Sequence, residues 1–304
     1  MLALVISTVA VWILSCTVIG VFAVEGALHL PRLAVTAEKR DRATAIADRE
    51  SAIFSDAQVS VSDGVVLRAW SFRSPRGNGN AVILLHGQGD NRSGMLGPAE
   101  MLLRHGYSVL LPDAREHGES GGSIATYGVL EADDVRQWFE WLRKDKSTHC
   151  IYGLGDSMGG AELLRSLEAE HEFCAVISES SFATFRDVAF DRLGQGLGKG
   201  AGMGRSLLRP AYYAGLIYSR VRYGIDLDKA DPAHAVAAST VPVLLIHGQA
   251  DRSIPIRHAQ MIRAKSPTTG LWEPAKADHC GASTAEPAEY ERRVVGWFEQ
   301  HKTQ

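Results

Sequence analysis

Short apolar runs recur along the chain at Ala81–Leu85, Tyr107–Leu111, Ile151–Leu154, Ala175–Ser178 and Val243–Ile246, with a weaker one at Gly270–Glu273. Between most of them lie helical patterns: the run Met101-Leu102-Leu103, and Val135-Trp138-Phe139-Leu142 and Ala161-Leu164-Leu167, whose apolar residues recur three and four apart. That spacing is helical. Strands that are apolar throughout, alternating with helices, indicate an α/β architecture with a mostly parallel sheet covered on both faces. Ligands of such sheets bind beyond the carboxyl ends of the strands. The loops after the apolar runs are therefore where chemistry is expected. Upstream, Gln58 to Trp70 holds two β-type runs around Asp63-Gly64, a hairpin signal. Pro75 to Asn80 is a turn-rich loop. Between Phe182 and Ala238 the rhythm breaks into helical fragments and a Gly-rich piece, Gly194 to Gly204. An insertion of that kind predicts a lid over about residues 182–238.

Composition excludes several classes. At 45% hydrophobic and 22% charged, the chain is neither disordered nor fibrous. A formal net charge of -3 offers no positive field for nucleic acid. The apolar residues are unevenly spread, however. Residues 1–24 contain no Asp, Glu, Lys, Arg or His, and the first charge is Glu25. As a helix, 24 residues reach about 36 Å, against a hydrocarbon core of about 30 Å. Residues 1–24 are expected to be a transmembrane anchor. The alternatives are a cleaved or lipidated signal, which Ile13-Leu14-Ser15-Cys16 loosely suggests, and a core helix. No basic residue opens the segment and its apolar run exceeds a signal h-region. Residues 25–56 mix charges as a juxtamembrane helix or linker does. Arg32, Lys39, Arg40, Arg42 and Arg49 follow the apolar run, and nothing basic precedes it. The positive-inside rule then favours a cytoplasmic domain. Four cysteines, at 16, 150, 174 and 280, fit a chain that does not depend on bridges. Cys150 and Cys174 each precede an apolar run, so neighbouring parallel strands would bring them close. Two buried free thiols are the expected state.

The most specific chemical signal is Gly155-Asp156-Ser157-Met158-Gly159-Gly160, between Cys150-Ile151-Tyr152 and the helical pattern Ala161–Glu168. This is G-x-S-x-G on a strand–turn–helix. Glycines let strand and helix approach closely while the turn pushes the Ser157 hydroxyl outward. A plain Gly-rich turn is the bland reading of the same residues. A serine hydroxyl is a weak nucleophile and needs a base held by an acid. Asp251 follows the run Val243–Ile246, and His279 follows the weak last run. Ser157, Asp251 and His279 thus stand in the chain order serine, acid, histidine, all at strand ends. Among rivals, His258 is expected on a helix surface, and His86 and His247 as buried structural histidines. His117 falls in a turn near the site, and Glu179 is the main rival acid. Asp278 adjoins His279, and adjacent side chains in an extended segment point apart. Donors for a developing oxyanion are expected from the backbone N–H groups of Gln88, in His86-Gly87-Gln88-Gly89-Asp90, and of Met158. H-E-x-x-H is absent, and Gly194 to Gly204 fits neither phosphate-loop nor dinucleotide patterns. No cofactor and no metal are implied.

Together, LLHGQGDNRSGM, LLPDAREHGESGG, GLGDSMGG, LLIHGQADRSIP and ADHCGA follow an ordered motif set. On these motifs, residues from about 57 to 304 resemble the α/β-hydrolase superfamily, nearest to serine aminopeptidase-like or Bem46-like serine hydrolases with an N-terminal membrane segment. One departure is Arg115-Glu116-His117-Gly118 where the superfamily often has Arg-Gly-His-Gly. The lid resembles no one subfamily. The resemblance implies an α/β-hydrolase fold, a Ser157-His279-Asp251 triad and cleavage of an ester, thioester or amide through an acyl-enzyme. The partners implied are a small-molecule or lipid-like acyl substrate and, through residues 1–24, a membrane. The alternative is a catalytically silent binding or scaffold protein on the same fold.

Overall fold

The computed structural model describes residues 1–196, 198 and 201–302. Leu197, Lys199 and Gly200 of the Gly-rich piece, and Thr303 and Gln304, lie outside the described residues. Eight strands form one sheet: β1 (Ile53–Ser60), β2 (Val66–Arg73), β3 (Ala81–Leu85), β4 (Ser108–Pro112), β5 (Ile151–Asp156), β6 (Ala175–Glu179), β7 (Val243–Ile246) and β8 (Gly270–Trp272). Their order is β1-β2-β4-β3-β5-β6-β7-β8. The pairs from β4 through β8 are parallel, and β2 is antiparallel to both β1 and β4. The hairpin pivots at Asp63-Gly64, with Gly64 at φ 83, and its strands run longer than the sequence signal. β3, β6 and β7 are buried along their whole length. Their unbroken apolar runs reflect helices on both faces.

The helices are α1 (Leu2–Leu28), α2 (Ala37–Arg49), α3 (Leu96–Arg104), α4 (Glu131–Arg143), α5 (Met158–Ser166), α6 (Phe185–Gly196), α7 (Ala201–Ser206), α8 (Arg209–Tyr223), α9 (Pro232–Ala238), α10 (Arg257–Lys265), α11 (Ala282–Ala285) and α12 (Pro287–Gln300). One face of the sheet is covered by α2, α3 and α12, whose Ile46, Leu102 and Phe298 are fully buried. The other face takes α4, α5, α9 and α10 through residues such as Trp138, Leu164, Val236 and Ile262. Helices α6 to α9 occupy residues 182–238, where a lid is expected; α9 packs on the sheet face, and a third apolar cluster with Phe182, Tyr212 and Leu216 lies beneath the others.

Two regions differ from expectation. Cys150 and Cys174 are not free thiols but form a disulfide, with Cα atoms 5.8 Å apart. Parallel pairing of β5 with β6, in which Tyr152 faces Ala175, brings the two strand entrances side by side. The charged stretch after residue 24 is also more than a solvated linker. Helix α1 runs four residues past Val24, and α2 buries Ala43, Ile46 and Ala47 in the core. Between the two helices, Arg32 donates to the Ser120 carbonyl at 2.7 Å, and the Asn91 amide donates to that of Leu33 at 3.1 Å.

Candidate active site

The turn between β5 and α5 is built by contact distance. A Cβ on Gly155 would lie 2.6 Å from the Gly159 carbonyl carbon, and one on Gly159 would lie 2.5 Å from the His86 oxygen. Only glycine lets β3, β5 and α5 meet there. The residue between them, Ser157, carries the strain: φ 52 and ψ -111. A non-glycine residue in that region is held by its surroundings. Its N–H donates to the Glu179 carbonyl at 2.8 Å, locking the turn onto β6.

The structure brings Ser157, Asp251 and His279 together from three strand ends. Nε2 of His279 lies 2.9 Å from Ser157 Oγ, and its Nδ1 lies 2.8 Å from Asp251 Oδ2. The other oxygen, Oδ1 of Asp251, accepts the amides of Ser253 and Ile254, each at 2.9 Å. Burial pushes the Asp251 carboxyl upward, but the His279 hydrogen bond, the Ile254 amide and two nearby imidazoles outweigh it. The net pKa lies below the usual carboxylate range. Asp251 is therefore an anion at neutral pH and fixes the imidazole tautomer whose Nδ1 carries hydrogen. Glu179 does not take this role: its Oε1 accepts the Ala282 amide at 2.9 Å. Asp278 touches the Gly281 turn rather than the imidazole.

Gln88 and Met158 both line the cavity that holds Ser157. Met158 is the first residue of α5, where a helix amide has no intrahelical partner. The loop bearing Gln88 is braced by His117, whose Nε2 accepts the Gly89 amide at 3.3 Å. His86 Nε2 accepts the Ala114 amide at 3.1 Å, and His247 Nε2 donates to the Ile254 carbonyl at 2.8 Å. Both are buried and structural, as expected. His258 is not on the surface: it is wholly buried, with Nδ1 accepting the Ala183 amide and Nε2 2.8 Å from Asp191. Its partners come from the segment after β6, far off in sequence, so no local signal could have placed it. Glu116, where the superfamily pattern has glycine, adopts φ 64. Its carboxylate holds Arg32 at 2.9 Å, tying the segment after α1 to this loop.

The cavity measures about 530 Å³ and is mostly apolar, a size usual for small-molecule sites. Its walls come from α6 and α8, in the insertion after β6, and also from α1. The contribution of α1 was not expected, since a segment that is apolar on every side carries no mark of which residues face protein. Among the described residues no group of His, Cys, Asp or Glu is arranged to hold a metal ion.

A parallel sheet in this order, with a serine on a strained turn after β5, defines the α/β-hydrolase fold. Residues 77–201 match the family model Hydrolase_4, described as serine aminopeptidase, S33. Among curated proteins, the chain is 27% identical over 199 residues to YqkD of Bacillus subtilis, covering 63% of this chain and 62% of that protein. It is 27% identical over 213 residues to YfhR of Escherichia coli, covering 67% of this chain and 66% of that one. The chain thus spans just under two thirds of the length of these relatives. Among solved structures, the Pyrococcus furiosus esterase Pf2001 superposes with a TM-score of 0.69 at 23% identity, over 90% of this chain and 99% of that one. A putative aryl esterase from Burkholderia cenocepacia superposes with a TM-score of 0.57 at 20% identity, over 81% and 99%. At such identities the likeness shows the fold.

Proposed function

We propose that the protein is a membrane-attached serine hydrolase that cleaves an acyl ester by way of an acyl-enzyme. The observation that carries this is the continuous chain from Ser157 Oγ through the His279 ring to Asp251, at 2.9 and 2.8 Å. A silent scaffold would have no use for a strained serine aligned with a histidine and an ionised aspartate.

In the proposed reaction, Ser157 Oγ attacks the ester carbonyl carbon while His279 Nε2 takes its proton. Asp251 stabilises the resulting imidazolium. The amides of Gln88 and Met158 donate to the oxyanion, each contributing about 3 kcal/mol. Collapse of the tetrahedral intermediate breaks the bond to the leaving alcohol, which takes the proton back from His279. Water then attacks the acyl-enzyme with His279 again as base, releasing the acid and restoring Ser157. The apolar cavity and the esterases named among the structural neighbours favour an ester over an amide. Thioesters follow the same steps.

Helix α1 is the membrane element of this reading. It is 27 residues long, and its most apolar 18-residue stretch has a mean hydropathy of 2.4 and is almost wholly exposed. The basic residues after it favour a cytoplasmic domain.

A fluorophosphonate probe tests the chemistry. Wild type is expected to be labelled and Ser157→Ala not. Equal labelling of both, or none on wild type, would sink the proposal.

A further inference from the structure

Helix α1 does more than hold the domain at a membrane. Gly20, Ala23, Val24 and Ala27 of α1 line the cavity that contains Ser157. The helix is seated there by close contact. A Cβ on Gly20 would lie 2.1 Å from the Ala211 carbonyl oxygen of α8, and one on Gly215 would lie 2.7 Å from the Gly20 oxygen. At its end, the Tyr127 hydroxyl donates to the Ala27 carbonyl at 2.7 Å, and the Ala125 amide donates to that of Leu28 at 2.9 Å. This half of α1 is a fixed wall.

The outer side of that wall is bare. On α1, Phe22 is 73% exposed; on α8, Val221 is 82% exposed, with Tyr213 and Ile217 on the same face. The two helices run in the same direction: Cys16 meets Leu207, Gly20 meets Ala211 and Gly215, and Glu25 meets Tyr223. Each helix thus leaves apolar side chains exposed on a face turned away from the contact between them. Arginines stand at both ends of α8, Arg209 stacked on Tyr213 and Arg222 on Tyr223. Cations at each end with apolar residues between suit a helix lying along an anionic lipid surface, with the guanidinium groups at headgroup level. The exposed residues among those that line the cavity include Ala23 of α1 and Arg192 of α6, so one of its rims lies on α1.

We propose that α8 and the half of α1 packed on it lie against the lipid of the membrane that α1 enters, and that α1 is the wall past which the acyl chain of a membrane lipid ester enters the cavity at Ala23. This rests on the serine-hydrolase reading and adds its substrate class and route of entry.

The test uses the full chain added to vesicles containing phosphatidylglycerol. The substrates are a long-chain acyl ester carried in the vesicles and a soluble acetyl ester of the same alcohol, and the readout is the ratio of the two kcat/KM values. Wild type is expected to favour the long chain by about tenfold or more. Ala23→Trp, which narrows the mouth at an exposed position, and Ile217→Asp/Val221→Asp, which charges the outer face, are each expected to lower that ratio about tenfold. An unchanged ratio in both variants overturns the proposal. So does a vesicle-independent ratio in a chain that dimerises through this face, which would make the occupant a second copy. Fluorophosphonate labelling of Ser157 is read in parallel. If wild type labels but prefers the acetyl ester, only this inference fails. If wild type does not label, the hydrolase reading fails and takes the acyl route with it.

Discussion

Asp251 and Glu179 are carboxylates at the ends of adjacent strands, and their surroundings drive them apart. Asp251 is held ionised by His279 and backbone amides. Its replacement by Asn should leave the position filled but stabilise the wrong imidazole tautomer. The expected loss in kcat is on the order of 10⁴, read in steady-state kinetics, and a loss under about tenfold would remove Asp251 from the proposed triad. Glu179 is pushed up to about 7 by burial, with the Ala282 amide and His279 pulling the other way. Asp156, its register partner across β5 and β6, is raised by burial and by Glu179 itself. The folded state thus favours the protonated carboxyl. That stability is fully present below the unfolded value of about 4.3, and it is lost as pH rises through about 7. Glu179→Gln keeps an oxygen for the Ala282 amide and removes the titration. Its Tm should fall less than that of wild type between about pH 6 and 9, the difference being on the order of 1–3 kcal/mol. Parallel Tm curves for the two proteins would refute this. His258 carries the lesson of this scale. A histidine's chemistry is visible in sequence, but its burial depends on Asp191 and Ala183 arriving from the segment after β6.

At the level of elements, glycines separate positions that a close approach requires from positions that merely tolerate them. Gly159→Ala would force a methyl against the carbonyls of Leu85 and His86. Backbone cannot yield as a side chain can, so a loss of about 3 kcal/mol is expected in denaturant unfolding. Gly296, inside α12, has nothing within 4 Å of an added Cβ. Gly296→Ala should raise stability by about 0.5–1 kcal/mol, because alanine loses less freedom on entering a helix. The G-x-S-x-G pattern marks the first, because the motif states its own geometric demand. The pairing of α1 with α8 through Gly20 and Gly215 had no such mark. An apolar helix has many faces, and the partner that selects one lies almost two hundred residues away.

For the molecule as a whole, the disulfide between Cys150 and Cys174 is the test of where the domain resides. It closes a sequence separation of 24 residues. The double replacement Cys150→Ser/Cys174→Ser should cost about 3 kcal/mol by the chain-entropy estimate. An unchanged unfolding midpoint would show that the bond is not formed in the isolated protein. Such bonds persist in oxidising compartments, while the arginines and lysine after α1 favour the cytoplasmic side. Labelling of the two thiols in intact cells by a membrane-impermeant reagent, before and after reduction, decides between them. By itself the sequence determined the α/β class, the strand rhythm and the chain order of Ser157, Asp251 and His279. Those features are local: apolar runs have a period, and a nucleophile turn has a composition. Only the tertiary structure decided that Cys150 and Cys174 pair, that His258 is buried, and that α1 walls the cavity. Each of these depends on which distant segments the folded sheet brings side by side, and no local pattern encodes that choice.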